Sequence, residues 1–394
     1  MFKKKGEAEK GFLAKHKILI AIATLIGTIV GAGILAIPYV VAQSGFLFGF
    51  IITVGLGLAF LVLNLMTGEI VLRTKKQYQL TGYTGKYLGP WGKRLMMFAM
   101  LFSIYGALTA YVIGEGETLK AIFHWGNPLW YSLIFFVVAF VVIFNGVKAA
   151  GNVELFLILM LLTIIMGIGI FSYQDINFSH LTTYNWLKFF APYGVILFAL
   201  GGTAAIPEMQ EVLVNEKEKM KKAIIVGSVI PIILYLLFAF VVVGLIGLDN
   251  FEVLQPNEKI ATIALSIYSS PVLGILANII AILSMFTSFL TLSIALIETY
   301  EYDYAFPHFA AILLTFSVPL LIALLSLSSF IAIITLTGAV AGGLQGTLLI
   351  FTFWKARTNG DRVPEYSLKE YRFIGSFLIL LFSLGVALEL AILI

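Results

Sequence analysis

Three glycines in seven residues, Gly27, Gly31 and Gly33, lie inside the first long apolar run, which Pro38 closes. A glycine in a helix interior costs about 0.8–1 kcal/mol relative to alanine, and an unwound turn facing lipid leaves amides and carbonyls that hydrocarbon cannot satisfy. The stretch Gly27–Leu35 therefore reads as a broken helix that is packed in protein or lines a wet cavity. Its freed backbone groups suit a small polar solute. Phe198-Ala199-Leu200-Gly201-Gly202, followed by Pro207, repeats the pattern in a later apolar run. A third group is Ser284, Thr287 and Ser288, whose spacing on one helical turn presents oxygens to a single hard cation, and oxygen ligation suits a small alkali ion. Each signal also has an ordinary reading. Glycines serve close packing of membrane helices, as with Gly338, Gly342, Gly343 and Gly346, and hydroxyls bond back to carbonyls one turn earlier.

Other chemistry is excluded or modest. There is no cysteine, so disulfides and thiol chemistry are absent, and the four histidines (His16, His124, His180, His308) form no cluster. No nucleophile–base or metal constellation assembles, so the chain is not expected to be an enzyme. Glu69 and Arg73 are spaced for an i,i+4 pair. Glu115 and Glu117 sit near the end of an apolar run, as vestibule lining or a proton relay. Tyr105 and Tyr111 precede them, placed to cap a solute or to pack. Glu208 and Glu211 follow the second break as candidate inner-gate partners of the basic N-terminal tail.

These groups must be positioned by membrane helices. The 394 residues are 60% hydrophobic and only 12% charged, with a mean hydropathy of +1.01, against roughly 25% charged in ordinary soluble domains. Runs of about 20 apolar residues span a bilayer. Eleven such spans are expected, near 17–42, 46–72, 95–118, 128–147, 153–173, 189–213, 221–247, 272–299, 307–326, 329–354 and 372–393. The run Ile260–Ile297 is too long for one, so Ile260–Tyr268 is expected to lie on the membrane surface or cover an outer vestibule. With residues 1–16 as a cytoplasmic tail, all of the 25 basic residues except Lys120, Lys188 and Lys259 fall inside. That asymmetry supports the layout, with the C-terminus outside. The basic runs thus need no nucleic-acid partner, and the first apolar run is too long for a signal peptide. The breaks in spans one and six occupy corresponding positions of two halves, the sequence pointer to an inverted-repeat transporter. The fold class is an all-α polytopic membrane protein with a single transporter domain, 17–394: repeat 1 over 17–173, repeat 2 over 189–354, and an extra helix at 372–393.

The motif Gly27-Thr-Ile-Val-Gly-Ala-Gly-Ile-Leu-Ala-Ile-Pro38, with Gln43-Ser-Gly45, resembles the first-span signature of the amino acid/auxin permease family, and most closely its tryptophan/tyrosine permease branch. Asn64–Arg73 and Ile206-Pro207-Glu208 are similar to that family as well. The resemblance places the chain in the amino acid–polyamine–organocation superfamily. It implies a fold like the bacterial leucine transporter, five-plus-five inverted repeats and alternating access in the cell membrane. The substrate expected is a neutral L-amino acid, aromatic ones included, with no obligatory protein partner and surrounding lipid as the only other contact. A zwitterion needs both charges met without arginine or lysine at mid-span. Amides of Gly31, Ala32 and Gly33 at a half-helix N-terminus suit the carboxylate. Carbonyls of Phe198, Ala199 and Gly201, beside Gly202, suit the ammonium, and Tyr105 caps the substrate. The resemblance also implies a Na+ site formed by the Gly27, Val30 and Ser284 carbonyls with the Thr287 and Ser288 hydroxyls. Some relatives that use protons carry a span-five lysine, which is missing here. Ile34 stands where a second sodium would need a side-chain oxygen, so one coupling ion is expected, Na+ ahead of H+. An amino acid sensor that does not transport is the alternative from another class, and it would call for a long cytoplasmic interaction tail.

Overall fold

The first apolar run is two helices. In the computed structural model, which describes residues 17–145, 166–325, 328–369 and 372–393 together with 156, 160, 163 and 164, α1 (Lys17–Ile29) stops in mid-run. A 3-10 turn follows at Ala32–Leu35, and α2 (Ile37–Ser44) resumes the path. Pro38 falls in the first turn of α2, where a missing amide costs nothing because first-turn amides have no acceptor within the helix. Gly45 then reverses the chain into α3 (Phe46–Arg73) with φ 83°, a left-handed value that favours glycine. A side chain there would also strike the backbone of Thr183 and Tyr184. Ser44 O accepts the Asn185 N–H at 2.9 Å, so this corner of the Gln43-Ser-Gly45 motif seats a distant loop.

α4 (Leu80–Phe123) begins well before the expected span at 95. Gly89 (φ 78°) and Pro90 kink it, which separates a polar lead-in from the apolar part. Asn127 caps α5 (Pro128–Phe144), its side-chain oxygen accepting the Leu129 N–H at 2.9 Å. The expected N-terminal tail, with residues 1–16, lies outside the described residues, as does most of the fifth span, with Lys148 and Glu154; residues 166–171 are helical.

The second half opens with another interrupted helix, α6 (Tyr193–Ala199) and α7 (Ala205–Val212). After it come α8 (Met220–Val253), α9 (Ala261–Tyr268), α10 (Pro271–Tyr304) and α11 (His308–Leu324). α12 (Phe330–Thr337) passes through a π turn at Gly338–Gly342 into α13 (Gly343–Asn359), and α14 (Arg372–Leu393) ends the chain. The apolar run from Ile260 divides as its length required. α9, however, is no lipid-surface helix: Ala261–Leu265 are buried, and it packs on α10, α8, α4 and α2.

Every regular element among the described residues is helical. Six helices are long and apolar enough to cross a membrane: Phe46–Arg73, Leu80–Phe123, Lys217–Val253, Val272–Glu301, Phe330–Asn359 and Arg372–Glu389. Lys17–Ile29, Pro128–Phe144 and His308–Leu324 are apolar but shorter. α4 lies at the centre of the bundle, against α5, α10, α11, α12 and α13, while α1 and α2 both lean on α8.

The Arg73 end of α3 carries a dense polar knot. Glu69 is fully buried and accepts from Arg73 Nε at 2.8 Å, as the i,i+4 spacing suggested, but also from the Leu368 amide at 2.6 Å and Ser367 Oγ at 3.2 Å. Arg357 approaches the same carboxylate at 3.7 Å. Asp361 pairs with Lys86 and accepts the Lys75 amide at 3.1 Å, and Arg73 O accepts the Asp361 N–H at 2.8 Å. Outside the membrane-spanning helices, the Asp361 carboxyl is held below its ordinary range, chiefly by the hydrogen bond from Lys86.

Candidate functional site

The two breaks meet, and they meet reciprocally. α1 ends at Ile29 and α6 ends at Ala199. A methyl group on Gly33, in the first break, would lie 2.8 Å from the Ala199 Cα. A methyl group on Gly202, in the second, would run into the Ile29 side chain, 3.0 Å from its Cδ1 and closer still to its Cγ1. Each break thus supplies the glycine that the other's terminal residue packs upon, Gly33 against the Ala199 backbone and Gly202 against the Ile29 and Leu25 side chains. Gly338, at the start of the π turn, packs on the same segment, its missing Cβ falling 2.6 Å from Phe198 N.

Backbone polar groups are left over at this junction. Gly31 donates to Ile29 O at 3.0 Å, whereas the Ala32 and Gly33 amides have no backbone acceptor among the described residues. In the second break, Phe198 O accepts the Gly201 N–H at 3.1 Å, and Gly202 O accepts from Ala205 at 3.1 Å. Gly201 O accepts no backbone bond among the described residues. Thr28 and Gly201 are exposed and Gly31 is partly so, so the junction can be reached from outside the protein.

One side chain joins the two breaks, and nothing in the local sequence announced it. Tyr235 of α8 is fully buried, and its hydroxyl lies 2.8 Å from Ile29 O and 2.8 Å from Ala199 O. The usable signal was a lone hydroxyl in the middle of an apolar span, which must find a partner because lipid offers none.

A bundle of membrane helices whose two broken members interlock at glycines is an arrangement that sequence comparison can place. The profile of the tryptophan/tyrosine permease family matches residues 14–391. The chain belongs to the tryptophan/tyrosine permease family. Tyrosine-specific transport system 1 of Haemophilus influenzae is 25% identical, covering 86% of this chain and 88% of its own. Glutamine transporter 2 of Aliivibrio fischeri is also 25% identical, over 83% and 84%. The low affinity tryptophan permease of Escherichia coli K12 is 23% identical, over 88% and 86%. The crystal structure of MhsT in complex with L-phenylalanine superposes with a TM-score of 0.69 at 16% identity, covering 97% of this chain and all of that one, a likeness of fold. The protein is therefore an integral membrane permease from a family of amino acid transporters, and not an enzyme.

Within this permease the tyrosines of α4 divide differently from expectation. Tyr105 does not reach the breaks. Its hydroxyl bonds Tyr300 Oη at 2.6 Å and Leu314 O at 3.1 Å, tying α4 to α10 and α11. Tyr111 takes the position instead: a methyl on Gly31 would rest 3.4 Å from its Oη. Six residues turn a helix by about 240°, so the two rings cannot share a face. One turn beyond Tyr111, Glu115 is fully buried, and both its carboxylate oxygens lack a hydrogen-bond partner among the described residues. Glu117, by contrast, accepts from Asn257 Nδ2 at 3.0 Å, and Asn257 Oδ1 accepts the Phe330 amide at 3.0 Å, so it ties α4 to the approach to α9 and to α12.

The helix that carries the three hydroxyls, α10, touches the 3-10 turn of the first break. Thr287 Oγ1 donates to Ser284 O at 3.0 Å, the ordinary back-bond, while Ser284 and Ser288 are buried. A hydroxyl that donates its proton still offers lone pairs, so this bond and cation ligation are compatible. Gly27 O and Val30 O accept no hydrogen bond from outside their own helix among the described residues.

Proposed function

We propose that this permease imports neutral L-amino acids, aromatic ones among them, by alternating access, coupled to one cation. The observation that carries the reading is the reciprocal junction of the two breaks. The Ala32 and Gly33 amides have no backbone acceptor among the described residues, and Gly33 packs on Ala199, which supports amides of the first break for a carboxylate and the Phe198, Ala199 and Gly201 carbonyls of the second for an ammonium. The exchange of glycines between Ile29 and Ala199 is also what two inverted halves, 17–173 and 189–354, would produce about a shared axis. Eleven spans with 372–393 as the extra helix, a cytoplasmic N-terminus and an external C-terminus complete the layout, supported by the placement of the basic residues. The substrates of the relatives, tyrosine, tryptophan and glutamine, and the phenylalanine held by the structural neighbour favour the same class.

Na+ is the coupling ion in this reading, held by the carbonyls of Gly27, Val30 and Ser284 with the hydroxyls of Thr287 and Ser288. A second reading, coupling to protons, is favoured by Glu115, a buried carboxylate of a membrane helix with no hydrogen-bond partner among the described residues, where acids are functional by default. Purified protein in liposomes separates the two. Uptake of L-tyrosine, L-tryptophan, L-phenylalanine and L-glutamine is measured under an inward sodium gradient at equal pH, then under a pH gradient without sodium. Sodium-driven accumulation is expected. Equal accumulation from the pH gradient alone assigns the coupling to protons, and binding without accumulation would make the protein a sensor.

A further inference from the structure

We propose that Tyr235 is a positioning residue for the amine end of the substrate, its one proton holding the Ile29 and Ala199 carbonyls where a single ammonium can bridge them. The inference deepens the proposed amino acid site and rests on that reading. Ile29 and Ala199 each close a half-helix, so their carbonyls stand at the negative ends of two helix dipoles. Placed side by side, those ends repel unless a donor or cation lies between them. Each oxygen is 2.8 Å from the Tyr235 hydroxyl, so the two are separated by at most twice that distance. A phenol has one hydrogen, and Ile29 O also accepts the Gly31 N–H at 3.0 Å, so Ala199 O is the carbonyl left without a donor whenever the phenol turns to Ile29. An ammonium brings three donors, and Ala199 O keeps a lone pair to receive one. The substrate's amine is the group that can complete the pair.

The setting of Tyr235 fits a fixed role. It is fully buried. Pro231, one turn earlier in α8, interrupts the helix ladder, and two turns earlier a methyl on Gly227 would lie 2.9 Å from Leu25 Cδ2 of α1. One face of α8 is thus pressed against α1 up to the point where the hydroxyl arrives.

The test compares wild type with Tyr235→Phe, which keeps the ring and removes the donor. Uptake of radiolabelled L-phenylalanine is measured in liposomes, with unlabelled L-phenylalanine and 3-phenylpropanoate, which lacks the amine, as competitors. Loss of a hydrogen bond that organises a charged group is worth about tenfold in affinity. The expected result is a rise in KM of about that size with Vmax nearly unchanged, and an equal narrowing of the preference for the amine-bearing competitor. An unchanged KM, or equal weakening of both competitors, overturns the proposal. If Tyr235→Phe does not fold, 3-fluorotyrosine at 235 keeps the shape and alters donor strength, and an unchanged amine preference then overturns it. Wild type that takes up no amino acid of the panel counts against the transport reading, and leaves a distinct signature from a silent variant.

Discussion

Two polar regions of this permease are built on opposite plans. At the Arg73 end of α3, every group is answered: the Glu69 carboxylate receives Arg73, Ser367 and the Leu368 amide, and Asp361 receives Lys86 and the Lys75 amide. At the junction of the two breaks, groups are left open: two amides without backbone acceptors among the described residues, and two carbonyls sharing one phenol proton. Polar groups without protein partners are costly where water is excluded, and this junction is open enough, at Thr28, Gly31 and Gly201, for a solute or water to complete them. The saturated knot holds elements together; the unsaturated junction is where the proposed function places the solute.

The sharpest way to break that contrast is to fill the junction with carbon. Gly33→Ala puts a methyl 2.8 Å from the Ala199 backbone, an overpacking worth about 1–3 kcal/mol. Uptake should fall below detection, while Gly31→Ala, whose methyl has 3.4 Å to Tyr111 Oη, should keep measurable transport. Equal behaviour of the two variants in a liposome uptake assay would mean that the junction is not so tight. Glu69→Ala tests the opposite region. Removing one partner of a buried ion pair costs about 3–5 kcal/mol, so the melting temperature in detergent should drop by several degrees with the KM of the surviving protein unaltered. Glu115→Gln, which fixes the neutral form, should leave sodium-driven uptake within about twofold, because the expected loss is of one titratable group. Loss of accumulation, with exchange retained, would instead mark Glu115 as the proton carrier.

The smallest effect is expected at Asp361. Its carboxyl is held below the ordinary range by Lys86, so the pair stabilises the protein fully above the unfolded value of about 3.9. That contribution is lost as pH falls through the lower folded value. A melting-temperature profile from about pH 5 to 3 should show a slight extra decline that Asp361→Asn removes.

The parts legible in the sequence were those encoded locally. Glycine spacing and Pro38 announced the first break, Gly201-Gly202 the second, and the excess length of the run from Ile260 foretold α9. Glu69 and Arg73 were visible as a helical pair, but the partners nearly 300 residues away were not, since a backbone amide such as that of Leu368 has no signature. Tyr235 was missed for the same reason: its meaning lies in Ile29 and Ala199, which local pattern does not connect to it. Tyr105 and Tyr111 looked alike, and only the rotation of α4 assigns one to α10 and α11 and the other to Gly31. The glycines of span ten read as packing residues, and Gly338 does pack on α6, but the π turn over Gly338–Gly342 has no local code.

The exchanged glycines at Gly33 and Gly202 have a mechanical consequence. Contacts with no room for a methyl would resist sliding of the half-helices past each other and favour rotation about the contact. An axle moves least at its centre. A solute held at the junction would then stay almost still while the far ends of α1, α2, α6 and α7 sweep, and the permease could change the side it opens to without first letting go of its cargo.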